Sequence, residues 1–181
     1  FFEAMPENPG LAFVVVMHLS TEFESRLAEG LQHKCQIEVT QVQHSVELEA
    51  DHVYVIPPGK HIDSVDTHVT LTDKEPGEGH GSPIDHFFRT LAASSGSRAV
   101  GVVLSGEGDD GTVGIRRIRE AGGLTIAQSP EDAEHESMPR AAIATGRVDV
   151  TLSASEMVRY IVSAANTGDQ LSRAEAMQLP E

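Results

Sequence analysis

Apolar residues along this chain fall into two alternating patterns: short continuous runs of strand length, and stretches where apolar positions recur every three or four residues. Residues 11–17 (LAFVVVM) form the first run, rich in β-branched side chains and bounded upstream by Pro9-Gly10. It predicts a strand buried on both faces, as in a parallel sheet. Ser20 or Thr21 can cap a following helix to about His33, with Phe23, Leu27 and Leu31 on one side. Residues 37–42 and 52–56 read as shorter strands, the second stopped by Pro57-Pro58-Gly59. In 60–72, Ile62, Val65, Val69 and Leu71 stand among polar residues and predict a surface hairpin.

Residues 73–82, with Pro76, Gly77, Gly79 and Gly81, carry no apolar period and predict a loop. A helix starts at Pro83, placing Ile84, Phe87, Phe88, Leu91 and Ala92 on one face. Residues 99–104 (AVGVVL) predict a second buried strand, then a glycine-rich turn and a helix over 112–121 closed by Gly122-Gly123. A strand over 124–127, a short helix over 138–145, a strand over 148–152 and a helix capped by Ser153 or Ser155 and reaching about Ala165 complete the pattern. Strands alternating with helices predict a three-layer α/β fold: a mostly parallel, doubly wound sheet with helices on both faces and a small β-hairpin insertion. Residues 1–165 are expected to form one domain and 166–181 a polar tail or linker. The opening residues FFEAM read as the last turn of an amphipathic helix ended by Pro6 and Gly10, so the chain is expected to begin inside an element.

Composition narrows the function classes. The 181 residues suit one typical domain, and only 4% are aromatic, which leaves Val, Ile, Leu and Ala to build the core. With 28 acidic against 13 basic residues the formal charge is −15, a field that repels phosphate backbones and anionic membranes. No apolar run approaches the ~20 residues of a membrane-spanning helix, so membrane insertion is not expected. The single cysteine, Cys35, fits a reducing compartment, and a cytoplasmic location is the expectation.

In an open parallel sheet, reactive residues gather at the carboxyl ends of the strands. Two positions meet that rule: His18, directly after LAFVVVM, and Asp110, in the turn SGEGDDG (105–111) after AVGVVL. A histidine and a carboxylate at strand ends can serve as base and orienter of a hydrolytic triad, and the pair then lacks a nucleophile. On the pattern alone, Asp110 can equally cap the helix that follows it. The turn has no Lys or Arg for a phosphate, lacks the calcium-loop spacing, and its carboxylates suit a helix N-terminus. His33, His44, His52, His61, His68 and His135 read as solvent-exposed, and no metal site is expected.

The segments VVVMHLS (14–20), VYVIPPGKH (53–61), SPIDHFFRTLA (82–92), AVGVVLSGEGDDGTVG (99–114), AGGLTIAQ (121–128) and SMPRAAIATGRVD (137–149) occur in an order that resembles the catalytic domain of chemotaxis protein-glutamate methylesterases of the CheB type, from residue 1 to about 163. The resemblance implies a serine, histidine and aspartate that hydrolyse glutamate γ-methyl esters on chemoreceptors, with glutamine deamidation as a possible second activity and no cofactor. It places the family's histidine on His18 and its aspartate on Asp110. The family's serine lies in a G-x-S-x-G-G turn that this chain does not contain, so roughly twenty residues, one strand, that turn and most of the first helix, are expected upstream of Phe1. Ser20 and Ser105 lie near the expected site but not on that turn.

Within the family's turn, Glu107 falls where an uncharged residue is common, and its carboxylate opposes developing negative charge unless it points to solvent. Asp109 competes with Asp110 for the imidazole, and the match to the family favours Asp110. Met138, Arg140 and His80 match positions along the substrate cleft; Arg140 either neutralises a carboxylate on the receptor or makes a local helix ion pair. The implied partners are a methylated chemoreceptor and a fused or separate receiver or methyltransferase domain. The alternative is a degenerate, inactive methylesterase-like module that binds a signalling partner.

Overall fold

A computed structural model describes residues 1–17, 26–73 and 82–167. A 3-10 turn at Phe2–Ala4 precedes β1 (Ala12–Val15), α1 (Leu27–Gln32), β2 (Glu38–Gln41), β3 (Val46–Glu47), β4 (His52–Val55), β5 (Lys60–Val65), β6 (His68–Asp73) and α2 (Pro83–Ser95). After a second 3-10 turn come β7 (Val100–Val103), α3 (Thr112–Glu120), β8 (Leu124–Gln128), α4 (Ser137–Ala144), β9 (Val150–Leu152) and α5 (Ala154–Thr167). The expected alternation of strands and helices holds. The expected Ser20 or Thr21 cap and most of the 73–82 loop lie outside the described residues, as does the tail from 168 onward.

The described strands form three sheets: β1-β4-β2 and β7-β8-β9, both parallel, and the antiparallel β3-β6-β5. Side-chain alternation sorts each parallel sheet between two helix layers. Val53 and Val55 of β4 pack with Leu27 and Leu31 of α1 and Val158 of α5, whereas Tyr54 joins Phe87 and Phe88 of α2. Ile126 of β8 meets Met157 and Ile161 of α5, and its neighbour Ala127 belongs to the cluster of Ile115 and Ile118 from α3. This is the three-layer α/β arrangement expected, with α5 on one side contacting both parallel sheets.

Three expectations need correction. First, LAFVVVM is not buried on both faces: Ala12 is exposed, Phe13 to Val16 are half-buried and Met17 is 40% exposed. The reason is pairing, since among the described residues β1 is an edge strand that bonds only β4. Second, the hairpin is not merely a surface feature. Ile62 and Val69 are fully buried, and β5 docks on α2, where Ser64 N–H donates to Thr90 Oγ1 at 3.0 Å and the Ser64 and Ser94 hydroxyls bond at 2.8 Å. Third, His52 and His61 are half-buried, His52 because its ring stacks on Tyr54 at 4.5 Å.

At the last helix the expected start is found: Glu156 accepts the Ser153 N–H at 3.0 Å, the return bond of a capping box. The helix then runs to Thr167, two residues beyond the boundary placed at 165.

Candidate active site

The turn after β7 is anchored on one side by the loop before α4. Ser105 N–H donates to Gln128 Oε1 at 2.8 Å, and Ser105 Oγ accepts the His135 N–H at 2.9 Å. Gly106 N–H donates to the His135 carbonyl and the Met138 N–H returns to the Gly106 carbonyl, both at 3.0 Å. Met138 lies directly over Gly106, whose missing side chain makes room: a Cβ there would stand 2.4 Å from the Met138 sulfur. Ser105 is thus a structural hydroxyl held by backbone, not a poised nucleophile.

On the other side the turn is anchored by the start of α2. Asp110 Oδ1 accepts the Asp85 N–H at 2.9 Å and Oδ2 accepts the Ile84 N–H at 3.2 Å. These are first-turn donors of α2, whose own N-cap Ser82 makes no side-chain cap bond. Asp110 is therefore a helix cap, but of the preceding helix rather than the one that follows it. A carboxylate offers about four acceptor sites, so two such bonds fix the group and leave capacity to orient an imidazole. Asp85 reciprocates: its Oδ1 accepts the Gly114 N–H at 2.7 Å, in the first turn of α3. Burial raises the Asp85 pKa above the ordinary carboxylate value; the Gly114 bond opposes this and the charge of Asp110 adds to it.

The other expected site residues divide clearly. The Glu107 side chain is 86% exposed, with His135 Nδ1 4.0 Å away, so it points to solvent rather than into the turn. Asp109 is exposed and uses its carbonyl to accept the Thr112 N–H. Arg140 is exposed and pairs with Glu136 one helical turn earlier at 2.9 Å, the local ion pair weighed above. Met138 is half-buried at the rim of the cleft. His18, His80 and Ser20 lie outside the described residues.

A cleft of about 2380 Å³ separates the two parallel sheets. Its walls include Val14, Val16 and Met17 from the β1 side, Val102 and Leu104 from the β7 side, and Asp110 at the strand ends. That volume exceeds the ~300–1,000 Å³ of small-ligand pockets and is on the scale of a peptide segment. The edges of β1 and β7 that face it pair with no strand among the described residues.

A second histidine–carboxylate pair stands away from this cleft. His86 Nε2 lies 2.7 Å from Asp63 Oδ1, and its Nδ1 accepts from Arg89 at 2.9 Å. With Nδ1 accepting, Nε2 carries the proton and donates it, so the Nε2 bond ties α2 to β5 while the Nδ1 bond stays within α2. The sequence reading gave no place to Asp85 or Gln128. The available signals were an acid in the first turn of a Pro-started helix and a polar residue ending an otherwise apolar strand.

Comparison with known proteins fits this geometry. The CheB methylesterase family model matches residues 1–161. An uncharacterized 104.1 kDa protein of Rhodobacter capsulatus is 42% identical over 135 residues, 75% of this chain and 14% of that one. The protein-glutamate methylesterase/protein-glutamine glutaminase 1 of Geobacter metallireducens is 34% identical over 166 residues, 89% of this chain and 45% of the relative. The chain thus spans about half the length of the methylesterase relatives it matches. The crystal structure of the Thermotoga maritima CheB methylesterase catalytic domain superposes with a TM-score of 0.81 at 26% identity, over 90% of this chain and 88% of that one. With its parallel sheets, its strand-end carboxylate and a family match over nearly all the described residues, this chain belongs to the CheB methylesterase family.

Proposed function

We propose that this chain forms the greater part of a protein-glutamate methylesterase domain that hydrolyses glutamate γ-methyl esters on chemoreceptors and deamidates receptor glutamines. The observation that carries the reading is Asp110: at the end of β7, on the cleft, a carboxylate is fixed by two backbone N–H groups. That is how an orienting acid of a triad is held. His18, which follows Met17 in the sequence, is assigned as the general base. The names of the relatives, methylesterase and glutaminase, supply the reaction class.

The nucleophile is assigned to a serine on a segment preceding Phe1. A strand seated between β1 and β7, parallel to both, would satisfy the two edges and carry its turn to the strand ends where Asp110 lies. The serine oxygen attacks the ester carbonyl carbon while His18 takes its proton. The tetrahedral intermediate then expels the methoxy group, which leaves as methanol with that proton. Water, deprotonated by His18, cleaves the acyl-serine to free glutamate and serine. Glu107, solvent-directed, does not oppose the oxyanion. Met138 and Arg140 are assigned to the rim that meets the receptor, and His80 to the same cleft. A cytoplasmic setting belongs to the proposal, as does a fused or separate receiver or methyltransferase domain, for which the greater length of the relatives leaves room.

The test is methanol release from methylated chemoreceptor by the natural polypeptide that carries these residues. Release that falls by about three orders of magnitude or more in both the His18→Ala and Asp110→Ala variants supports the reading. A folded polypeptide that binds receptor without releasing methanol replaces it with the binding-module alternative.

A further inference from the structure

We infer that Asp85 is a positioning residue for Asp110, acting through a reciprocal exchange of helix caps between α2 and α3; the inference rests on the proposed role of Asp110 as the orienting acid. Two helices begin side by side here, and neither caps itself. Ser82, the N-cap of α2, and Gly111, the N-cap of α3, make no side-chain cap bond. Asp110, just ahead of α3, takes the Ile84 and Asp85 N–H groups of α2. Asp85, inside the first turn of α2, takes the Gly114 N–H of α3.

The two carboxylates therefore form a closed loop of bonds. Asp85 holds the first turn of α3 with its side chain, and the same residue's N–H holds the carboxylate that precedes that turn. Moving Asp110 would require breaking its own bonds and shifting α3 against Asp85. Packing allows little such movement: Gly114 is buried, and a Cβ there would stand 2.4 Å from Phe88 Cβ and 3.1 Å from Asp85 Cα. Asp110 lines the cleft and Asp85 does not, so Asp85 reaches the chemistry only through its partner.

The experiment measures kcat and KM for methanol release from methylated chemoreceptor, using the natural polypeptide at a temperature where each variant is folded by circular dichroism. Asp85→Ala removes the acceptor and is expected to lower kcat by about tenfold to a hundredfold, the scale of an ångström-level misplacement, with KM within about threefold. Asp85→Asn keeps an acceptor oxygen for Gly114 and is expected to restore kcat to within about threefold of the parent. Thr125→Val, at the far end of β8, removes buried hydrogen bonds to Arg147 and Asp149 and serves as the control for simple destabilisation. If Asp85→Ala leaves kcat unchanged, if Asp85→Asn fails to restore it, or if Thr125→Val lowers it equally, the positioning role is overturned. Asp110→Ala separates the two claims: unchanged kcat there sinks the assignment of Asp110, whereas loss there with none in Asp85→Ala sinks only the role of Asp85. Where Asp85→Ala does not fold, Asp85→Asn compared with the parent decides alone, a loss beyond tenfold in a folded protein being the overturning result.

Discussion

Among the described residues, strands β4 and β8 each pair on both sides, whereas β1 and β7 pair on one side only, although all four are short, mostly apolar and parallel. The consequence shows in burial. Val53 and Ile126 are fully buried, while β1 leaves Ala12 exposed and its valines half-covered. An apolar run therefore reports that a strand belongs to a sheet interior, and the neighbours decide how much of its surface leaves water. In this molecule the two less buried edges face the same cleft, at the end of which Asp110 is held.

The largest contrast is expected from truncating β-branched side chains in the two environments. Ile126→Ala, in β8, should lower unfolding stability by about 2–5 kcal/mol, measured from the urea midpoint. Val14→Ala, in β1, should cost only about 1 kcal/mol, because that side chain is half-buried and lines the cleft. Repeating Val14→Ala in a polypeptide that carries the proposed strand sharpens the comparison: that strand, seated in the cleft, should raise the cost toward about 2 kcal/mol. Equal costs in both settings would remove the support for a strand between β1 and β7. Gly114→Ala is the intermediate case, costing about 1–3 kcal/mol through overpacking against Phe88, with up to about 1 kcal/mol returned by alanine's helix preference.

The sequence carried local information well and pairing poorly. The start of α2 at Pro83 and its buried face of Ile84, Phe87, Phe88 and Ala92 follow from a rotamer-scale pattern repeated every turn. The strand-end rule drew attention to Asp110 as a candidate, and the pattern alone left a helix-cap reading beside it. What holds Asp110 was not legible, because its donors lie 25 and 26 residues earlier and their approach depends on Gly114 meeting Phe88 across two helices. The hairpin was found as a hairpin, but its docking through Ser64 on Thr90 and Ser94 is a contact over 26 to 30 residues, which periodicity does not encode. The opposite solution at Glu107, a carboxylate in the same turn that stays in solvent, shows that the acidic pattern itself did not distinguish the two.

The smallest expected effect is a pH dependence that tests the Asp85–Asp110 contact from the side of stability. Burial, with the charge of Asp110 adding to it, raises the Asp85 pKa above its reference value of 3.8, even though N–H donors of α3 favour the charged form. A raised pKa means that the folded state holds the proton more tightly than the unfolded chain. The stabilisation from that proton is fully present below the unfolded value and is lost as pH rises through the folded one. Asp85→Asn has no such proton to lose. The stability of the parent relative to Asp85→Asn should therefore be greatest near pH 3 and decline above pH 4, following thermal midpoints of both proteins across that range. A difference that instead grows with pH means that the α3 donors outweigh burial and that the charged carboxylate is the stabilised form.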